Sequence, residues 1–397
     1  MPISREVEDA LGRSSWIRRM FEEGNRLKKK HGAENVFDFS LGNPDLPPPD
    51  AFIEKLRELT QAEPGGIHRY MPNAGWPQVR EKIASHLAKR TGLDYTGSQV
   101  LMTVGAGGGL NVVLKALIDP DDEVVILAPY FVEYVFYVAN HRGKTVVAET
   151  DATFGPDPES LRASITERTR VVMINSPNNP TGRVYTRAEL DAVAAVLTEK
   201  SEEYGRPIYL ITDEPYRRIV YPGYECPEVP PTYPHTILVT SHSKDLGLAG
   251  ERIGIVAISP DAADADKVAD ACTFTNRTLG FVNAPSLFQL AVADCQDASV
   301  DVATYQERRD ILVPHLKQLG FDLVDPGGAF YLFPRSPIPD ETEFVRRLME
   351  ECILVVPGRG FGRPGHFRVS FAVPTEVIER SLPAWERVAS EYPQQQS

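Results

Sequence analysis

No stretch of this chain has the length and apolarity of a membrane span, and residues 1–30 are rich in charge without the apolar core of a secretory signal. The four cysteines, Cys226, Cys272, Cys295 and Cys352, make no Cys-x-x-Cys pair and no metal-ligand cluster. They read as free thiols in a reducing compartment, with no metal site. Positive charge is in deficit: 42 Lys and Arg against 55 Asp and Glu leave a net charge of −13. That balance argues against non-specific nucleic-acid binding. Internal repeats are missing, and low complexity is confined to the glutamines at 394–396. The expectation is a soluble cytoplasmic protein that engages neither membrane nor nucleic acid.

What is present is a set of short, continuously apolar runs at 100–104, 124–127, 171–174, 208–212, 237–240 and 253–258. Runs of this kind suit strands buried on both faces. Helical patterns separate several of them. Thr186-Arg187-Ala188-Glu189 has the form of a capping box, after which Leu190, Val193 and Leu197 share one face and Gly205 can end the helix. Val79, Ile83 and Leu87 repeat at the same spacing before Gly92. The expected fold is α/β: a large domain at 48–283 with a mostly parallel mixed sheet covered by helices on both faces. A smaller α+β domain would combine an N-terminal arm at 1–47 with residues 284–397. In that C-terminal part, 284–293 and beyond reads as one long helix, and short strands are expected near 330–333 and 367–371.

In open α/β sheets, ligands bind beyond the carboxyl ends of the strands. After 100–104 comes Gly105-Ala106-Gly107-Gly108-Gly109, which can cradle a phosphate at a helix N-terminus or make a plain tight turn. It lacks Gly-x-Gly-x-x-Gly spacing, which counts against a dinucleotide-binding dehydrogenase. After 124–127, Phe131 can stack on a planar ring or join the core. After 171–174, prolines and a glycine fix Asn175-Ser176-Pro177-Asn178-Asn179-Pro180-Thr181-Gly182, and Asn179 can offer its amide to a ligand oxygen. After 208–212, Asp213 can pair with a protonated pyridine nitrogen or cap a helix, and Tyr216 follows three residues on. After 237–240 comes Ser241-His242-Ser243-Lys244, with Arg252 eight residues past the lysine. A strand-end lysine flanked by hydroxyls and an arginine can form a Schiff base beside a bound phosphate.

These segments, with Ser40-Leu41-Gly42-Asn43-Pro44-Asp45, Tyr70, Asn73-Ala74-Gly75 and Phe367-Arg368-Val369-Ser370-Phe371, run in one order along nearly the whole chain. Together they resemble the fold-type I pyridoxal-phosphate enzymes, and among them the class I and II aminotransferases of the aspartate aminotransferase family. The resemblance implies pyridoxal 5′-phosphate as cofactor and ping-pong transamination between an L-amino acid and a 2-oxo acid. It implies that Lys244 carries the Schiff base and shuttles the proton, that Asp213 pairs with the pyridine nitrogen, and that Tyr216 and Asn179 hold the ring hydroxyl. Phe131 would stack on the ring. Ala106, Gly107, Ser241, Ser243 and Arg252 would bind the phosphate, with Tyr70 reaching it across a homodimer interface. Arg368, helped by Gly42 and Asn179, would clamp the substrate α-carboxylate. Arg277 is the candidate for a distal carboxylate, because the phosphate loop has Gly107 where one subgroup carries lysine.

The sequence departs from relatives in having phenylalanine at the stacking position, no hydroxyl in the core of the glycine turn, and His242 where an aromatic residue is common. A β-lyase or decarboxylase on the same fold shares every cofactor motif and is the alternative activity. A cofactor-binding regulator without turnover usually carries a separate DNA-binding or partner module; the chain shows no spare segment for one, and its acidity opposes that reading.

Overall fold

The structure, a computed structural model, describes residues 3–13, 15–62 and 65–392; the glutamine tail lies outside the described residues. Its large sheet has seven strands, here β1 (Val100–Thr103), β2 (Glu123–Ala128), β3 (Lys144–Glu149), β4 (Thr169–Asn175), β5 (Tyr209–Asp213), β6 (Thr236–Ser241) and β7 (Gly254–Ile258). Their order across the sheet is β1-β7-β6-β5-β4-β2-β3. All run parallel except β7, which is antiparallel to both neighbours.

The apolar runs form strands because each residue has a core to enter. In β4, Val171 and Met173 pack on one side, while Val172 and Ile174 enter the core on the other. Six of the seven strands coincide with expected runs. The seventh, β3, went unread because it is an edge strand: Lys144, Val147 and Glu149 are exposed and only Ala148 is fully buried, so it carries no continuous apolar signal.

Helices flank the sheet as expected. Thr186 caps the helix Arg187–Glu203 by accepting from the Glu189 amide, while Glu189 accepts from the Thr186 amide at 2.6 Å. Gly92 closes the helix Pro77–Thr91 in the left-handed conformation. The long helix expected from residue 284 is instead two helices. Ser286–Ala293 spans only eight residues, and the chain re-enters a helix at Val302–Gln318, where the Asp301 carboxylate caps the Ala303 amide. The Asp301 cap marks a new helix start that apolar periodicity alone does not reveal.

The smaller α+β part is built from both ends of the chain. Phe37–Asp38 pairs in parallel with Ile353–Leu354. Lys28 bridges to Asp38 at 2.9 Å, and Leu27 and Val36 pack on Leu354. A three-stranded antiparallel sheet sets Phe367–Ser370 between Val356–Pro357 and Tyr331–Leu332. Phe367 and Val369 enter the core of this part, which leaves Arg368 on the opposite face of its strand. Asp45 and Arg308 tie the N-terminal segment down with two parallel bonds of 2.8 Å.

Thr186→Ala removes a capping acceptor distant from the strand ends. It is expected to cost about 1 kcal/mol of stability in urea denaturation, with turnover unchanged. No loss of stability would mean the cap carries nothing.

Candidate active site

Three strands end on residues that share one face of the sheet. Asn175 closes β4, Asp213 closes β5 and Ser241 closes β6; Asn175 pairs with Asp213, and Asp213 with Val239, two residues before Ser241. The antiparallel β7 begins at this same edge, which brings Arg252 to it from the other direction. A cavity of about 280 Å³ opens here. It is lined by Gly42, Ala106, Gly107, Phe131, Asn179, Asp213, Tyr216, Ser241, Ser243, Lys244, Arg252 and Arg368. Tyr70 and Arg277 do not line it. A larger open cleft of about 710 Å³, lined in part by Arg90, Arg217 and Tyr224, holds none of these groups.

Lys244 stands on the short helix His242–Asp245 that continues from β6. Its Nζ donates to the Gly42 carbonyl at 2.7 Å. Burial, followed by the charges of Arg368 and Arg252, lowers its pKa to about 8. An amine titrating there is partly neutral near physiological pH and therefore nucleophilic. Behind it, His242 Nδ1 lies 3.2 Å from Asp245 Oδ2 and fixes the helix from its buried side.

Asp213 is buried, and one of its oxygens, Oδ2, accepts from the Tyr134 hydroxyl at 2.5 Å. Oδ1 is buried with no hydrogen-bond partner among the described residues. Burial pushes the acid up to about 7, with Glu214 adding to the shift and the Tyr134 bond opposing it. A carboxylate with one free acceptor on a ligand cavity matches a cationic N–H donor, which would restore its ionised form.

At the other end of the cavity, Gly105 takes a positive φ of 69° and opens the helix Gly105–Leu117. That φ strains any side chain, and a Cβ there would stand 2.6 Å from Arg252 Nη2, so the guanidinium would have to move. The guanidinium thus lies on the turn whose first amides have no intrahelical acceptor. Ser241 and Ser243 are buried and line the same cavity. Amides, hydroxyls and one arginine form a donor set for a phosphate dianion.

Arg368 is 3% exposed. Nη1 donates to Asn179 Oδ1 at 3.0 Å and Nη2 to the Ser40 carbonyl at 2.6 Å, while Nε has no partner. The rings of Tyr331 and Phe361 each lie 4.8 Å from its guanidinium carbon. Among the described residues no carboxylate pairs with it, and burial lowers its pKa. A buried, unpaired cation costs several kcal/mol, so this site favours an incoming carboxylate strongly.

Comparison with known proteins decides the family. Residues 34–384 match the model for aminotransferase class I and II. The chain belongs to the class I and II aminotransferases. The aspartate/prephenate aminotransferase of Thermus thermophilus is 35% identical over 375 residues, covering 91% of this chain and 93% of that protein. The aspartate aminotransferase of Thermotoga maritima is 32% identical over 355 residues, covering 88% and 90%. Among solved structures, an amino transferase from Eubacterium rectale superposes with a TM-score of 0.96 at 37% identity, covering 99% of this chain and 100% of that one. The Thermus thermophilus aspartate aminotransferase with maleate gives 0.85 at 31% identity, covering 98% and 100%. This aminotransferase is a pyridoxal-phosphate enzyme. The cavity fits that cofactor: the unpartnered Asp213 Oδ1 suits the pyridine nitrogen, and the glycine turn with Arg252 suits the phosphate.

The structure also brings in residues that sequence reasoning passed over. Tyr134 supports Asp213 and Tyr331 lies under Arg368; Tyr331 also bonds Tyr216, hydroxyl to hydroxyl, at 2.8 Å. Asn175 donates to the Asp213 carbonyl at 2.8 Å and accepts from the Asn179 amide at 2.7 Å, setting the angle of the asparagine loop. Tyr137 lines the cavity. Of these, Asn175 carried a readable signal, a polar residue closing a buried strand, and Tyr134 a fainter one, a helical step past Phe131.

Asp213 predicts a pH effect in the cofactor-free protein. Its folded pKa of about 7 lies above the ordinary 3.8. The protonated acid's stability is therefore fully present below the ordinary value and is lost as pH rises through about 7. Across that window wild type should lose on the order of 4 kcal/mol relative to Asp213→Asn. Thermal midpoints of both proteins from pH 4 to 8 read the difference, and a constant gap would contradict it.

Proposed function

We propose that this aminotransferase works by ping-pong transamination, with Lys244 as both the cofactor-bearing amine and the proton-transfer base. The observation that carries the reading is a softened amine and an unpaired guanidinium on one small cavity: Lys244 titrates near 8, and Arg368 has no counter-ion among the described residues. Pyridoxal phosphate, when bound, supplies an electron sink for the charge left when a proton leaves the substrate Cα. Asp213, ionised by its pairing, holds the ring nitrogen protonated and sustains that sink. Arg368 takes the α-carboxylate in its planar fork and sets the Cα within reach of Lys244. Phe131 covers the ring, and Tyr216 and Asn179 meet its hydroxyl. With one carboxylate clamp in the cavity, the first 2-oxo acid must leave before the second enters, which supports the two-stage order.

The enzyme is proposed to act in the cytoplasm as a homodimer. Tyr70 is 91% exposed in the single chain, which supports its reaching the phosphate of a second copy. Arg277 stacks at 5.4 Å on the exposed Phe274 ring at the end of the helix Ala265–Thr278. From a second copy it would meet the distal carboxylate of a dicarboxylic donor such as the aspartate named in the relatives.

Three measurements test this. Borohydride trapping of the loaded enzyme followed by peptide mapping is expected to find the cofactor on Lys244; label on another lysine would overturn the assignment. A ¹⁵N-labelled amino acid added without a 2-oxo acid should leave its nitrogen on the bound cofactor, whereas retention on the amino acid until both substrates are present would exclude ping-pong order. Arg277→Ala should lower kcat/KM for aspartate roughly tenfold to a hundredfold, as for a lost hydrogen bond between charged groups, and spare alanine. Equal losses on both amino acids would remove Arg277 from the site.

A further inference from the structure

We propose that Tyr137 is a cofactor-phosphate ligand, its hydroxyl supplying the donor that the glycine turn lacks. The inference rests on pyridoxal phosphate occupying the cavity as argued above. A phosphate at a helix N-terminus is held by backbone amides, and side-chain donors around the turn add to them. Here the turn is Gly105-Ala106-Gly107-Gly108-Gly109, with no hydroxyl. Gly107 lies in the first helical turn, where its amide has no intrahelical acceptor.

The space that a side chain at 107 would occupy is filled from elsewhere. A Cβ on Gly107 would stand 2.8 Å from the Tyr137 hydroxyl oxygen. Tyr137 belongs to the helix Tyr134–Asn140, which follows Phe131 and also carries the Asp213 partner Tyr134. Its ring packs against the core under the sheet, while the residue lines the cavity. Among the described residues its hydroxyl makes no hydrogen bond, unlike that of Tyr134 three residues earlier. Burial, then Glu133 and Asp213, raise the Tyr137 pKa to about 12 against a smaller opposing effect of Arg252, so the proton stays available for donation. Arg252 approaches the turn at Gly105 and Tyr137 at Gly107, which places a cation and a neutral donor around the same amides. The tyrosine hydroxyl thus takes the space a side chain at 107 would enter: the donor has moved from the loop to the facing helix.

The test compares wild type with Tyr137→Phe, which keeps the ring and removes only the hydroxyl. Cofactor-free proteins are titrated with pyridoxal phosphate and, separately, with pyridoxal, which has no phosphate. The readouts are the Kd from absorbance and the thermal midpoint without ligand. The expected result is a Kd for pyridoxal phosphate raised about tenfold in the variant, in line with loss of one hydrogen bond to a charged group, with the Kd for pyridoxal and the unliganded midpoint unchanged. Equal Kd values for pyridoxal phosphate would overturn the assignment. So would an equal loss on both ligands, which would make Tyr137 a ring-packing or substrate-facing group. Failure of wild type itself to bind pyridoxal phosphate would instead sink the cofactor reading, and this assignment with it.

Discussion

Two buried ionisable groups, each without a counter-charge among the described residues, organise this site. Asp213 keeps one oxygen unpartnered against a ligand cavity, and Arg368 lies buried between two aromatic rings, with no acid beside it among the described residues. Each is unfavourable in the cofactor-free chain, because desolvating a charge costs more than neutral hydrogen bonds return. Each becomes favourable when a ligand brings the missing charge, a ring cation for one and a carboxylate for the other. Binding and orientation thus follow from the same unmet electrostatics.

The fold supplies what is needed to hold such a site. Strands buried on both faces give a rigid edge, and the side-chain alternation of three neighbouring strands puts Asn175, Asp213 and the residue two before Ser241 in register. The antiparallel β7 solves a placement problem, since it lets Arg252 arrive at the carboxyl edge immediately before a strand starts. The smaller part contributes Arg368 from the middle strand of its own sheet, with the Ser40 carbonyl from the N-terminal segment as an acceptor. Chain segments more than three hundred residues apart therefore meet at one guanidinium, from Ser40 to Arg368.

Much of this was legible in the sequence where the signal was local. Apolar runs marked the central strands, the Thr186–Glu189 box marked a helix start, and polar residues directly after strands marked the cavity lining. The edge strand β3 was not legible because half its side chains face water. The break between Ala293 and Val302 was missed because an Asp301 cap outweighs apolar periodicity. Tyr134, Tyr137 and Tyr331 escaped for another reason. Nothing in a tyrosine's neighbours along the chain distinguishes a core ring from one whose hydroxyl meets Asp213 or Tyr216, or lines the cavity, across the fold.

The pairing of Asp213 with a protonated ring is most directly read by ¹⁵N NMR of pyridoxal phosphate labelled at its ring nitrogen and bound to the full-length protein. At pH 8, wild type should show the chemical shift of a protonated pyridine, and Asp213→Asn that of a neutral one. A neutral ring in the wild-type complex would contradict the electrostatic pairing on which the proposed mechanism depends.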